Sequence, residues 1–414
     1  MKVLILDGNE NQAVASARSL ARAGHAVAVG ASTSWSKAGW SRYCRSSFTY
    51  AAPQEDTSAF VRSITEEAAR FPGTLILPMT ERTTLPLSSH RDALAAAGAK
   101  LVLPPHETIL RAFDKQQTTR LAASLGINVP QTFPISDRTE ARNVAESIQY
   151  PAVLKPRSSE EVSKASKVTA TGAPAYARNP QEFMSAYDEL SGRCSNVLAQ
   201  EFVEGTGAGY FALMREGQLR AEFAHARLRD VRPTGSGSAL RVSVQPDARM
   251  REAALAILKA LNWHGVAMVE FRQRADGTPV FLEVNGRFWN SLALAVYAGV
   301  DFPAMLARMA EHGDVEPQMS YRSGVRCRWM LGDFRHLAEV MRGAPRGYTG
   351  RFPSRLRTLA NFTIPVRGTC HDNFTLTDPL PELGDWIDFL FRRLPSGLAT
   401  ARKDLNVERR YSHS

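Results

Sequence analysis

Cysteine is scarce in this chain. The four thiols, Cys44, Cys194, Cys327 and Cys370, are scattered over 414 residues. Their separations fit neither a disulfide framework nor a metal-ligand spacing, and predict free thiols in a reducing cytoplasm. Long hydrophobic runs are also missing. No apolar stretch approaches the roughly 20 residues that a membrane-spanning helix needs. The apolar run ahead of Asp7 is too short for a signal-peptide core and reads as a first strand. The glycine fingerprint G-x-G-x-x-G is absent, which leaves a dehydrogenase with little support. No Ser/His/Asp or Cys/His set suggests a covalent nucleophile. Internal repeats and low-complexity tracts are lacking as well.

What is present is an ordinary globular composition, 44% hydrophobic and 22% charged. The length suits about two or three domains. The formal net charge of +10 is uneven: from Met319 onward there are 16 Lys and Arg against 9 Asp and Glu, so +7 of it lies in the last quarter. The basic balance therefore says little about the rest.

The most informative stretch runs from Gly265 to Arg287, GVAMVEFRQRADGTPVFLEVNGR. Val266–Phe271 and Val280–Val284 are apolar and β-prone. Asp276-Gly277 between them predicts a two-residue type I′ turn, with positive φ at both positions. Counting outward from that turn places Glu270 opposite Glu283, with Asn285 on the face of Glu283. Two carboxylates facing each other on apolar strands repel. A divalent cation removes the conflict, and the oxygen-only set Glu, Glu, Asn suits Mg²⁺ carrying nucleotide phosphates. The alternative is a surface hairpin whose acids point into water.

Upstream, a strand at 2–6, a helix at 12–23 and a strand at 25–30 predict the βαβ opening of a doubly wound domain. Thr74–Pro78 is a later strand. Asn9, Glu81 and Arg82 follow strand ends, where open sheets place ligands, or are plain loop residues. Lys100–Pro104 reads as a short strand, followed by a helix carrying Phe113-Asp114-Lys115. Lys155 ends the apolar run Tyr150–Pro156; a buried ammonium needs an anion, and a phosphate oxygen supplies one. Val197–Gly205 reads as an edge strand with a glycine turn. Arg227, Arg229 and Arg232 precede the loop Pro233–Ser238, which fits either an anionic ligand or a solvated strand edge. Asp247–Leu261 is an expected helix, and 291–312 a helix pair broken at Gly299 and Pro303. Beyond Tyr321, Arg326–Leu331 reads as a strand. The run 342–357, with five arginines and no acid, reads as a mobile loop, and Asp385–Leu394 as a very apolar helix.

Taken in order, the segment Asp114–Thr132 with Lys115, then Lys155, Glu201 to Gly205, Glu270, and Glu283-Val-Asn285-Gly-Arg287 resemble the ATP-grasp superfamily. The flanking words Trp263–Met268 and Arg287–Leu292 are similar to a branch of carboxylate–amine ligases. The resemblance covers roughly residues 1–330. It implies a mixed α/β and α+β architecture: a Rossmann-like doubly wound domain over 1–108, an ATP-grasp domain over 109–318 with a lid at about 130–200, and a basic C-terminal extension over 319–414 that packs on the core and borders the substrate cleft.

The same resemblance implies ATP and Mg²⁺, with Mn²⁺ as an alternative ion. Glu270, Glu283 and Asn285 would hold the metal, and Lys115 and Lys155 the phosphates. Backbone groups of Glu201 and Val203 would read adenine. Glu204 is the ribose candidate, because glycine stands at 207 where several relatives carry an acid. Arg287, Arg227 and Arg229 would sit beside the carboxylate or its acyl phosphate. The segment 158–167 lacks the glycines usual in the family, so Ser158, Ser159, Lys164 or Lys167 are the candidates to cover the phosphates. The implied reaction joins a small-molecule carboxylate to an amine and releases ADP and phosphate. A kinase-like phosphotransferase and a non-catalytic ATP-binding module are the alternatives. No nucleic-acid partner is expected. Membrane contact through Trp386 and Phe389 is the less favoured role of the tail, and the oligomeric state stays open.

Overall fold

The computed structural model describes residues 1–391 apart from 159, 163–167, 172, 173, 236, 345–351 and 365. Lys2–Ile5 is a strand, Asn11–Arg22 a helix and Ala26–Ala31 the next strand, close to the expected spans. They belong to a parallel sheet ordered Ser46–Thr49, Ala26–Ala31, Lys2–Ile5, Leu75–Leu77. Parallel strands need cover on both faces. Helices Thr57–Ala69 and Glu81–Ser89 cover one face through Phe60, Ile64 and Leu87; Asn11–Arg22 covers the other. Lys100–Pro104, expected as a strand, makes a single bridge from Lys100 to Leu75. Pro104 and Pro105 remove the amides that a longer ladder would use.

A second, antiparallel sheet runs Thr132–Ile135, Val197–Glu201, Ala152–Pro156, Ala175–Ala177. Helices Arg138–Ser147 and Pro180–Ser191, capped by Asp137 and Asn179, pack on it around Leu154, Phe183 and Val197. This is the lid. A small pair of strands, Glu160–Val162 and Val168–Ala170, extends from it.

The central sheet has seven strands, in the order Pro279–Asn285, Gly265–Gln273, Thr206–Arg215, Gln218–Arg229, Leu240–Ser243, Arg326–Arg328, Thr369–His371. Only the last pairing is parallel. One face buries Tyr210, Val269 and Phe271 under the helix Ala248–Ala260, whose start is capped by Asp247. The other face buries Phe211, Phe223 and Met268 in one core with Val3, Ile5 and Val14 of the first sheet's layer. The first unit and the central sheet therefore share their hydrophobic interior. The helix pair beyond the hairpin is Leu292–Ala298 and Phe302–His312. Gly299 ends the first at φ 113°, but Pro303 lies inside the first turn of the second, where a missing amide costs nothing.

The C-terminal region departs most from expectation. The strand at Arg326 stops at Arg328, and Met330–Arg342 is a helix. The expected loop 342–357 lies partly outside the described residues; Arg355–Thr363 within and beyond it is helical. The last described helix is Leu380–Phe391. Ion pairs fix this region to the start of the chain and to the central sheet. Arg18 Nε donates to Asp378 (2.8 Å) and Lys37 Nζ to Asp385 (2.8 Å), while Arg241 pairs with Asp372. Six buried charges of alternating sign thus neutralise one another.

Candidate active site

The expected hairpin is present, with a different turn. Arg274 N donates to Thr278 O (3.0 Å) and Gly277 N to Arg274 O (2.9 Å), so Ala275, Asp276 and Gly277 form the turn. Gly277 is left-handed at φ 80° and Asp276 is not. This is a three-residue loop rather than type I′. The longer turn shifts the pairing by one: Phe271 faces Phe281, not Leu282. A bulge between Glu270 and Phe271 then shifts it back, and Glu270 pairs with Glu283 as expected. The bulge also re-aims the side chains. Phe281 packs in the core under the helix, whereas Leu282, Glu283 and Asn285 line a cleft on the opposite face.

That cleft, of about 470 Å³, opens between the lid and the central sheet. Its floor depends on missing side chains in the strand Thr206–Arg215. The Arg227 side chain lies against Gly207 and donates from Nη2 to Glu270 Oε1 (2.7 Å). A Cβ at 207 would lie 2.9 Å from Arg227 Cδ. Glycine at 207 therefore leaves the path that Arg227 takes. His225 is two residues earlier on the same face, and its Nδ1 is 3.3 Å from Ser291 Oγ. Burial, then the charges of Arg227 and Arg241, push its pKa well below the usual imidazole value. It sits neutral in the floor.

Lys115 opens the helix Lys115–Ser124, which Asp114 caps through the amides of Gln116 (3.0 Å) and Gln117 (3.1 Å). Its Nζ is 3.4 Å from Glu283 Oε2. Lys155 is buried at the end of the lid strand Ala152–Pro156. Burial lowers its pKa to about 8 against the opposing pull of Glu283. For Glu283, burial works to raise the pKa, but Lys115 and Lys155, the Asn285 amide and Arg287 outweigh it and hold the group well below the usual carboxylate range. The expected repulsion between the two carboxylates is thus met by cations: Arg227 at Glu270, and the two lysines at Glu283.

Six cationic side chains line the cleft, Lys115, Lys155, Arg227, Arg232, Arg272 and Arg287, against the carboxylates Glu201, Glu270 and Glu283. The surplus of positive charge suits a polyanion. Among the described residues no trio of His, Cys, Asp or Glu cages a metal by itself. Two carboxylates and the Asn285 amide offer hard oxygens and leave the rest of a coordination shell to phosphate and water, the pattern of Mg²⁺. Arg287 donates to Asn285 Oδ1 (3.2 Å) and lies 4.0 Å from Glu81.

At the hinge end, Val153, Tyr176, Glu201, Phe202, Val203 and Leu282 form an apolar slot. The hinge itself is pinned by Glu201 N to Gln131 O and Phe202 N to Pro151 O, both 3.1 Å. Glu204 is not among the cleft's lining residues. It faces a separate surface pocket of about 800 Å³ with Gln149, Tyr150 and Asp276. Arg229 also points elsewhere. A bulge between Arg227 and Arg229 turns it towards Asp333, with which it pairs, and Arg328 reaches the same carboxylate from the other side (2.6 Å). Ser158 lines the cleft, while Ser159, Lys164 and Lys167 lie outside the described residues.

Several residues around the cleft were not singled out in the sequence, or were left as plain loop. Glu81 starts the helix Glu81–Ser89 beside Arg287, and burial raises its pKa. Arg82 bridges to Glu160 of the lid (2.9 Å). Asn9, by contrast, spends its amide locally on Thr33 and on Lys37 N. His225 and Trp289 line the cleft floor. The signal for His225 was there: it shares a strand face with Arg227.

Comparison with known proteins places this geometry. A family described as "ATP-grasp in the biosynthetic pathway with Ter operon" matches residues 194–332. Among curated proteins, D-alanine–D-alanine ligase of Nitrosospira multiformis is 27% identical over 48% of this chain and 66% of its own length. The N-terminal section of the carbamoyl phosphate synthase large chain of Methanopyrus kandleri is 29% identical over 49% of this chain and 36% of its own. The matches therefore span about two thirds of the first relative and about a third of the second. Among solved structures, the biotin carboxylase domain of Hydrogenobacter thermophilus 2-oxoglutarate carboxylase superposes with a TM-score of 0.61 over 78% of this chain and 73% of that one, at 16% identity. The L-amino acid ligase of Bacillus licheniformis does so at 0.58, over 76% and 77%, also at 16% identity. At such identities the superpositions speak for the fold alone. With the matched segment and the curated relatives beside them, residues 194–332 match an ATP-grasp family and the chain as a whole resembles that superfamily.

Proposed function

We propose that this protein is an ATP-dependent ligase that joins a carboxylate to an amine through an acyl phosphate, releasing ADP and phosphate. The observation that carries the reading is the pairing of Glu270 with Glu283 across the hairpin, flanked by Lys115 and Lys155, in a cleft with surplus positive charge. The curated ligases it resembles support the reaction class. Bound Mg·ATP supplies the phosphoryl group, and Mn²⁺ would fit the same oxygens. Glu270, Glu283 and Asn285 hold the metal. Lys115 and Lys155 bind phosphate oxygens with charge-assisted hydrogen bonds. Backbone groups at Glu201 and Val203 read the base in the apolar slot. Arg287 and Arg227 orient the carboxylate and steady the charge that develops on it. Arg229 and Glu204 are given no part, because neither lines the cleft. The lid keeps water away from the reactive intermediate. We place the reaction in the cytoplasm, in keeping with four free thiols. The test is an ADP-release screen over pairs of small carboxylates and amines, followed by product analysis. An amide is the expected product; a phosphate ester, or no turnover by the folded protein with any pair while ATP still binds, would overturn the ligase reading.

A further inference from the structure

The helix Arg355–Thr363 packs the wrong way round for a buried amphipathic helix. Its buried residue is polar, Thr358, and Phe362 rests against Phe334 at 6.4 Å between ring centres. The aliphatic side chains face out: Leu356 is 81% exposed, Leu359 43% and, just past the helix, Ile364 64%. Val366 continues the same exposed run. At 100° per residue Leu356 and Ala360 fall on the side opposite Thr358, Leu359 and Arg357 about a quarter-turn to either side of it, and Arg355 between Thr358 and Leu359. Exposed leucines on an arginine-flanked helix are the pattern of an element that lies in a lipid interface.

The charge of the surrounding sequence selects the partner. From Val340 to His371 there are six arginines and no acid. Residues 392–414, which lie outside the described part, carry six Lys and Arg against two acids, so they share the sign of this face and do not complement it. A second copy of the chain would bring the same arginines against one another. Nucleic acid would satisfy the arginines but gives two exposed leucines and an isoleucine nothing to bury against. An anionic phospholipid surface satisfies both features. Trp386 and Phe389, the residues first considered for membrane contact, pack tilted and edge-on against Phe334 at 5.2 and 6.1 Å instead and hold the helix Leu380–Phe391 to the fold.

We propose that the face formed by Leu356, Leu359 and Ile364, with Arg355 and Arg357, docks this protein on anionic membrane surfaces. The proposal is independent of the ligase reading. Co-sedimentation of the full chain with vesicles of phosphatidylglycerol and phosphatidylcholine, at physiological salt, tests it against vesicles of phosphatidylcholine alone. Binding should require phosphatidylglycerol. Leu356→Ser with Ile364→Ser should weaken it roughly tenfold or more. Arg355→Ala and Arg357→Ala should each weaken it by about fivefold. Both aliphatic positions are highly exposed, so the serine variant keeps its fold, which circular dichroism checks. The idea fails if the chain does not pellet with the anionic vesicles, or if the folded serine variant pellets as well as the parent. It also fails if light scattering finds a dimer that the serine variant loses, or if duplex DNA, and no vesicle, retains the chain through Arg355 and Arg357.

Discussion

Lys155 ties the cleft to pH. Its pKa of about 8 reflects burial. An arriving polyphosphate draws that value back up, so above pH 8 binding takes up a proton and affinity falls, by up to about tenfold per pH unit. Below that the lysine is already charged and the dependence flattens. The same depression acts on stability with the opposite sense: between pH 8 and the ordinary lysine value of 10.5 the unfolded chain binds the extra proton, so stability rises with pH across that window. Lys155→Ala should cost roughly 10–150-fold in ATP affinity and abolish the proton uptake, both read by calorimetry in buffers of different ionisation enthalpy. An unchanged dissociation constant would exclude Lys155 as a phosphate ligand. Glu283→Gln should lower ADP release by about a hundredfold or more while circular dichroism stays the same. Normal turnover by that variant would remove the metal assignment. These residues were legible because their chemistry is odd for their surroundings: acids and a lysine on apolar strands. Even so, Glu270 meets Glu283 through two offsets that cancel, a turn one residue longer than expected and a bulge beside Leu282. Counting found the pair without finding either feature.

Strands and helices explain why neighbouring arginines part company. Arg227 and Arg229 are two residues apart and would share a strand face, but the bulge between them sends one to Glu270 and the other to Asp333. Arg227→Ala should therefore reduce turnover strongly, and also cost some stability because Glu270 loses its cation. Arg229→Ala should cost about 1–3 kcal/mol of stability, leave the kinetics near normal, and loosen the helix Met330–Arg342. Chemical denaturation and steady-state assays on the two variants separate these outcomes; equal kinetic damage from both would contradict the division. Regular elements with a clean period, such as Asn11–Arg22 and the hairpin strands, were readable from the chain alone. A bulge leaves no periodic trace, and Lys100–Pro104 looked like a strand because its apolar run said nothing about the amides that two prolines remove. The lid has its own latch in Arg82–Glu160. Hydrogen exchange should show Mg·ATP protecting 156–162, more weakly in Arg82→Ala; equal exchange with and without the nucleotide would exclude this segment as a phosphate cover.

For the whole molecule, the order of motifs was enough to name the superfamily, whereas the tail was opaque. Its hold on the core comes from contacts such as Arg18–Asp378, which are 360 residues apart and invisible to any local pattern. Asp378→Asn leaves Arg18 buried with its charge partner gone and should cost about 3–5 kcal/mol, lowering the thermal midpoint of the whole protein rather than of the tail alone. A separate low-temperature transition confined to the tail would argue against a shared core. The same ion pair also has a bearing on synthesis. At about 5–20 residues per second, roughly 20–70 s separate the appearance of Arg18 at the ribosome from that of Asp378. Throughout that interval the helix Asn11–Arg22 and the segment after Ala31 carry Arg18 and Lys37 without their acidic partners, and the face of Asn11–Arg22 that the tail will cover stays open to water. Arg18 and Lys37 have to wait for Asp378 and Asp385, and a chaperone that shields the waiting surface would raise the yield of folded chains.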